Sequence, residues 1–229
     1  MQPGRLAAML RTLLLVVCAG LLAACSGGEA GGGGKSADIA RVVDVKSTFG
    51  PEFHVTTVAP TGIDPHLLAP QPLPQKVTFD PADCAKLATA STIPKGVKGN
   101  MAAMTAEGQG NRFIAIAVET SEPLPVNEPG KGCERVAFAG PGAKGLVEVT
   151  DSPSIQDVQV VSTHRVVQTE VNGKPAGGEL YNYVATFGSF LVIVTANPTV
   201  VPDKPAAPVD VKRARDLLVA AVAAVRGAS

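Results

Sequence analysis

The side chains with the widest chemical reach are four cysteines, at positions 18, 25, 84 and 133, and three histidines, at 54, 66 and 164. The histidines are far apart, and no close ligand spacing links them to the cysteines as a zinc site requires. No metal ligand and no cofactor is assigned, and His54 reads as a strand-face residue. Serine offers no nucleophile motif. Gly188-Ser189-Phe190 lacks the second glycine of a nucleophile elbow, so Ser189 reads as a turn residue. Ser91-Thr92-Ile93-Pro94 has proline where a Ser-x-x-Lys pattern needs lysine, with Lys95 one place too late. Gly34-Lys35-Ser36 imitates the end of a phosphate-binding loop, but Glu29 stands where the first glycine belongs. Glu119, Glu122, Asp151 and Asp157 are scattered among loops and strand ends, and spacing pairs none of them. The expectation is a chain with no catalytic residues, not an enzyme.

The thiol with a local context is Cys25. Arg5 and Arg11 precede a nearly uninterrupted apolar run from Thr12 to Ala24, and Leu22-Ala23-Ala24 leads into the cysteine. A basic flank, a short apolar core and small residues make a secretory signal. The run is too short for an ordinary membrane-spanning helix, which needs about 20 apolar residues. Leu22-Ala23-Ala24-Cys25 resembles the lipobox of bacterial lipoproteins, as against an ordinary secreted protein with an incidental cysteine. The resemblance implies that residues 1–24 are removed, that Cys25 carries a thioether-linked diacylglycerol, and that the new amino terminus is open to acylation such as palmitate. Two acyl chains suffice for stable anchoring, each buried methylene contributing about 0.8 kcal/mol. The protein is then expected at the cell membrane, lipid-anchored on its extracytoplasmic face.

Three regions follow: a lipoprotein signal peptide over 1–24, the lipidated cysteine with a glycine-rich flexible tether over 25–36, and a single domain over 37–229. The whole chain has 20 basic and 20 acidic residues; Arg5 and Arg11 leave with the signal, so 18 basic face 20 acidic. No basic stripe is present, and nucleic acid is excluded as a partner. Tryptophan is absent and aromatics make up 4% of the chain, so the core falls to Val, Ile, Leu and Ala. With Cys18 in the signal and Cys25 lipidated, Cys84 and Cys133 remain as one pair in an oxidising compartment, and a disulfide is expected.

The fold class expected is α+β. Asp38 is placed as the cap of a short helix running to Ser47, and Phe53 to Val58 alternate as a strand. Prolines at 60, 65, 70, 72 and 74 mark extended surface chain. Asp80-Pro81 reads as cap and first residue of a helix near 81–90. Val97–Ala106 and Arg112–Thr120 are expected to form a hairpin around the loop 107–111, and the apolar run 113–118 fits a strand covered on both faces or one whose small alanines face a packed helix. Further short strands are expected near 133–139 and 146–150. An antiparallel meander follows at about 158–171, 178–187 and 190–196, with Asn172-Gly173 and Gly188-Ser189 as two-residue turns. Phe190-Leu191-Val192-Ile193-Val194 should lie centrally. After a proline-rich loop, an amphipathic helix at about 209–226 places Val211, Ala214, Leu218, Ala221, Val222 and Val225 on one face, as packing for the sheet.

The lipobox, the single later cysteine pair, the run from Asn172 to Tyr183 and the following Thr186-Phe187-Gly188 resemble a family of mycobacterial-type exported lipoproteins of unknown function. The layout is more loosely similar to the extracellular sensor domain of the mycobacterial serine/threonine kinase PknH. That likeness implies an antiparallel sheet with helices and a groove for a ligand. This chain has one cysteine pair where that domain has two disulfides, and no groove residue carries over. The leading functional expectation is a membrane-anchored module holding an envelope lipid, a small apolar ligand or a peptide between sheet and helix. The alternatives are a scaffold that docks an envelope protein through the loop 60–74 or through Tyr181 and Tyr183, and a hydrolase of envelope material.

Overall fold

The computed structural model describes residues 36–227 apart from 65–67, 69–72, 74–75, 90–92, 95, 127, 172–173 and 201–204. The signal peptide, Cys25 and nearly all of the tether lie outside the described residues, as does the Asn172-Gly173 turn.

Nine strands build one antiparallel sheet: β1 (His54–Gly62), β2 (Thr78–Asp80), β3 (Gly99–Gly108), β4 (Asn111–Thr120), β5 (Arg135–Gly140), β6 (Ala143–Val149), β7 (Gln159–Val171), β8 (Lys174–Phe187) and β9 (Phe190–Pro198). Their order is β1-β3-β4-β9-β8-β7-β6-β5-β2. Consecutive strands mostly pair as hairpins; the long-range step is β9, which enters between β4 and β8. The α+β class holds. The meander is present as β7, β8 and β9, with β8 starting at Lys174 and not near 178, and Gly188 turns β8 into β9 at φ +57° in the left-handed region that glycine enters without a Cβ clash. The β3–β4 hairpin is tighter than its sequence suggests, turning on Gln109 and Gly110 alone.

The two edges are blunted. β1 shifts register between Val58 and Thr61, around Pro60, which can donate nothing to a ladder. β2 is only three residues long.

A 3-10 helix (Ile39–Thr48) begins at Asp38, whose side chain accepts from the Ala40 amide at 2.9 Å. A short 3-10 turn (Ala82–Cys84) leads into α1 (Ala85–Thr89). Its cap differs from the sequence expectation. Asp80 ends β2, the Asp80–Pro81 peptide is cis, and Pro81 takes the cap position with no side-chain capping bond. The long helix α2 (Val211–Arg226) starts at Asp210, which accepts from the Arg213 amide at 2.9 Å, and stops at Gly227 in the left-handed conformation.

The pleat sends alternate residues to opposite faces. On one face α2 and the 3-10 helix cover Ala102, Met104 and Ala106 of β3, Phe113, Ala115 and Ala117 of β4, Ala185 of β8, and Val192, Val194 and Ala196 of β9. Buried Leu217 joins Ala214, Leu218, Ala221, Val222 and Val225 on the helix. Alanine facing alanine lets the helix lie close on the sheet, and the small side chains of this core serve that approach. The opposite face holds two smaller cores. One gathers Met101, Ala103, Ile116, Val118, Leu191 and Ile193 under Leu68 and Leu124. The other gathers Val136, Phe138 and Val147 under Cys84 and Ala88. β4 is thus covered on both faces, which is why its sequence is apolar almost throughout.

Candidate functional site

Between those two smaller cores the opposite face is not filled. The strand residues there are Val161 and Thr163 of β7 and Asn182, Val184 and Thr186 of β8, all half-buried. In register, Val161 faces Val184 and Thr163 faces Asn182. Above them the chain supplies α1 with its preceding turn on one side and the loop between β4 and β5 on the other. The result is a cleft of about 380 Å³. Its floor is the β7–β8 ladder with buried Leu191 of β9. Its walls include Leu87, Val126 and Pro129, and exposed Asp83, Lys86 and Glu128 stand at the solvent side.

Cys84 and Cys133 also line this cleft, and they are bonded, with Cα atoms 5.2 Å apart. The bond ties the turn before α1 to the end of the β4–β5 loop. That loop is pinned at its start by Thr120, whose hydroxyl lies 2.7 and 2.9 Å from the carbonyl oxygens of Glu122 and Ser189 and shares its one proton between them. Buried Leu124 then plugs into the core under β3, β4 and β9. The cover over the cleft is therefore held at its β4 end by packing and at its β5 end by a covalent bond.

The cleft lies between the sheet and the short helix α1. The cleft lies across the sheet from the long C-terminal helix, and the helix-bearing face is closed by the alanine packing described above. Nor do the two tyrosines form a docking pair. Tyr183 is 1% exposed in the core beneath α2. Tyr181 is half-buried, stacked on the His164 ring with centroids 4.2 Å apart.

The remaining candidates separate in space. Ser189 sits in the β8–β9 turn. His54 is an exposed strand residue and His66 lies outside the described residues. Glu119, Glu122, Asp151 and Asp157 are exposed and are not gathered into a site. Among the described residues no group of three His, Cys, Asp or Glu side chains is arranged to hold a metal ion.

Sequence reasoning missed one polar cluster on the helix-bearing side of the sheet. His164 Nδ1 lies 3.2 Å from Glu148 Oε1, and its Nε2 lies 3.2 Å from Glu179 Oε2. The register places Glu148 beside His164 on β6 and brings Tyr181 beside it on β8. Burial pushes the Tyr181 phenol up, helped by the charges of Glu179 and Glu148. A strand alternation over 160–186 hints at the faces, but the pairing of β6 with β7 that makes the cluster has no local signature. Arg165, on the cleft face of β7, packs its guanidinium over the Phe138 ring at 5.6 Å, and burial lowers its pKa.

The family described as Domain of unknown function (DUF5642) matches residues 38–226. An uncharacterised Mycobacterium smegmatis protein of known X-ray structure, described as an Rv0999 ortholog, is 61% identical over 84% of this chain and 98% of that chain, with a TM-score of 0.79. The extracellular domain of PknH from Mycobacterium tuberculosis covers 82% of this chain and 92% of that chain at 10% identity, with a TM-score of 0.34, a likeness that carries no weight for function. No functionally curated protein matches the chain.

Proposed function

The chain belongs to the DUF5642 family, a family of unknown function, and from that premise we propose that it is a lipid-anchored extracytoplasmic binding module. Cys25 carries the anchor, the glycine-rich tether spaces the domain from the membrane, and the domain binds without catalysis. The ligand classes that suit it are an envelope lipid, a small apolar molecule or a peptide.

The observation that carries this reading is the cleft of about 380 Å³ between β7–β8 and the disulfide-tied cover. Ligand sites are concave, largely pre-formed and about 300–1,000 Å³ in volume, with mostly apolar walls and a few polar groups. The cleft falls in that volume range and sets Val161, Val184, Leu191, Leu87 and Val126 against Thr163, Asn182 and Thr186. Among the described residues no helix is long and apolar enough to cross a membrane; the attachment proposed is the one through Cys25.

Native mass spectrometry of residues 36–229, purified from an exporting actinobacterial host, tests the reading. A co-purifying mass that is lost on denaturation supports it and identifies the ligand. A bare polypeptide mass under the same conditions counts against it and turns attention to protein partners.

A further inference from the structure

The polar groups of the cleft are arranged with a direction. Thr163 and Asn182 are direct cross-strand neighbours, and on a sheet such pairs stand about 4.5–5.5 Å apart. Thr186 lies further along the same face of β8. None of these three side chains hydrogen-bonds to another described residue, although polar side chains around them do so: Ser152 with Ser162, Thr120 with Ser189, His164 with Glu148. The hydroxyls and the amide are thus available to a molecule in the cleft. All three are neutral, and together they offer both donors and acceptors. The flanking positions on the same ladder are apolar: Val161, Val184 and Leu191.

Charge at the solvent side points the same way. Asp83 and Glu128 set two carboxylates against the one ammonium of Lys86. An anion approaching this opening meets net repulsion from these three side chains, and among the described residues that line the cleft Lys86 is the one cation. A fatty-acid carboxylate or a phosphate headgroup is therefore poorly matched, and so is a wholly apolar chain, which would strip water from Thr163 and Asn182 without replacing it.

We propose that the cleft takes a small neutral amphiphile, whose hydroxyl or amide groups are read by Thr163 and Asn182 and whose apolar body lies on Val161, Val184 and Leu191. This rests on the cleft-binding reading above and narrows its ligand class. Thr163 and Asn182 determine specificity: losing either leaves the matching ligand group buried without a partner, whereas a ligand lacking that group gains nothing from it.

The test uses residues 36–229 and two probes of equal chain length, octyl glucoside below its micelle concentration and octanoate, followed by amide chemical shifts. Octyl glucoside is expected to move the amides of Thr163, Asn182 and Val184 and to bind at least about tenfold more tightly than octanoate. The near-isosteric Thr163→Val/Asn182→Leu variant should weaken it about tenfold or more, while Thr163→Ser/Asn182→Gln, which keeps the polar groups, retains binding and controls for folding. If octanoate binds as tightly, or the apolar variant binds octyl glucoside as well as the native chain, the neutral-amphiphile assignment is overturned and cleft binding stands. If neither probe moves the cleft amides at millimolar concentration, both fall.

Discussion

Cys84 and Cys133, 49 residues apart in the chain, close their disulfide in the wall of the cleft. The bond joins two segments with little regular structure of their own. α1 is five residues long, and the β4–β5 loop contains no strand or helix among its described residues. Cross-linking so long a loop removes entropy from the unfolded chain, worth about 4 kcal/mol on the chain-entropy model. The Cys84→Ser/Cys133→Ser variant is expected to lose about 2–4 kcal/mol in urea denaturation. Its added freedom should be confined to 82–89 and 121–134 in hydrogen exchange. Uniformly faster exchange in α2 and β9 would show that the bond supports the whole fold and not the cleft cover.

Cys25 carries the membrane prediction. Two acyl chains anchor stably where a single myristoyl-type chain binds reversibly, and the domain offers no spanning helix among its described residues. In an exporting actinobacterial host, Cys25→Ser should move the protein from the membrane pellet to the soluble extracytoplasmic fraction while leaving its thermal unfolding unchanged. Retention of the variant in the pellet would mean that another surface holds the membrane.

The legible parts of the fold were those written locally. Gly188 between Phe187 and Ser189 announced its hairpin, Asp210 and Gly227 bracket a helix whose apolar stripe is visible in sequence, and the all-apolar 113–118 took the two-sided cover that was one of its two readings. Asp80 misled because aspartate before proline caps helices often, while here Asp80 completes the β2 ladder with Ala137. The cleft was illegible. Thr163 and Asn182 are brought together by the β7–β8 hairpin, but Asp83 and Pro129 come to them through the long-range pairing of β9 with β4 and the Cys84–Cys133 bond. No window of sequence contains that arrangement.

Alkaline pH should expose the tyrosines. Burial pushes the Tyr183 phenol up, with Tyr181 adding to the rise and Arg215 pulling partly against it; Tyr181 is raised as well. The native state therefore favours both neutral phenols, while the unfolded chain ionises near pH 10. The sign follows from linkage: this stabilisation is complete below about pH 10 and is lost as pH rises through the higher native values. Urea midpoints should hold steady to about pH 9.5 and then fall. Tyr183→Phe should flatten that fall, since its native ring is 1% exposed. A fall of equal steepness in the variant would assign the alkaline loss to other groups.

Leu218 tests whether the helix-bearing face is a packed core with no room for a ligand. It is fully buried at the centre of the α2 stripe, against a sheet surface built largely of alanine and valine. Alanine neighbours are already short and cannot extend to fill a void, so Leu218→Ala should leave most of its cavity open. Substitutions of this type cost about 2–5 kcal/mol, rising with the volume left unfilled, and the upper half of that range is expected here by chemical denaturation. Cleft binding should persist in the folded fraction, because α2 and the cleft occupy opposite faces of the sheet. A cost under about 1 kcal/mol would mean that the helix and sheet can close over the gap. Loss of octyl glucoside binding from folded variant would mean that the two faces are coupled through β8 and β9.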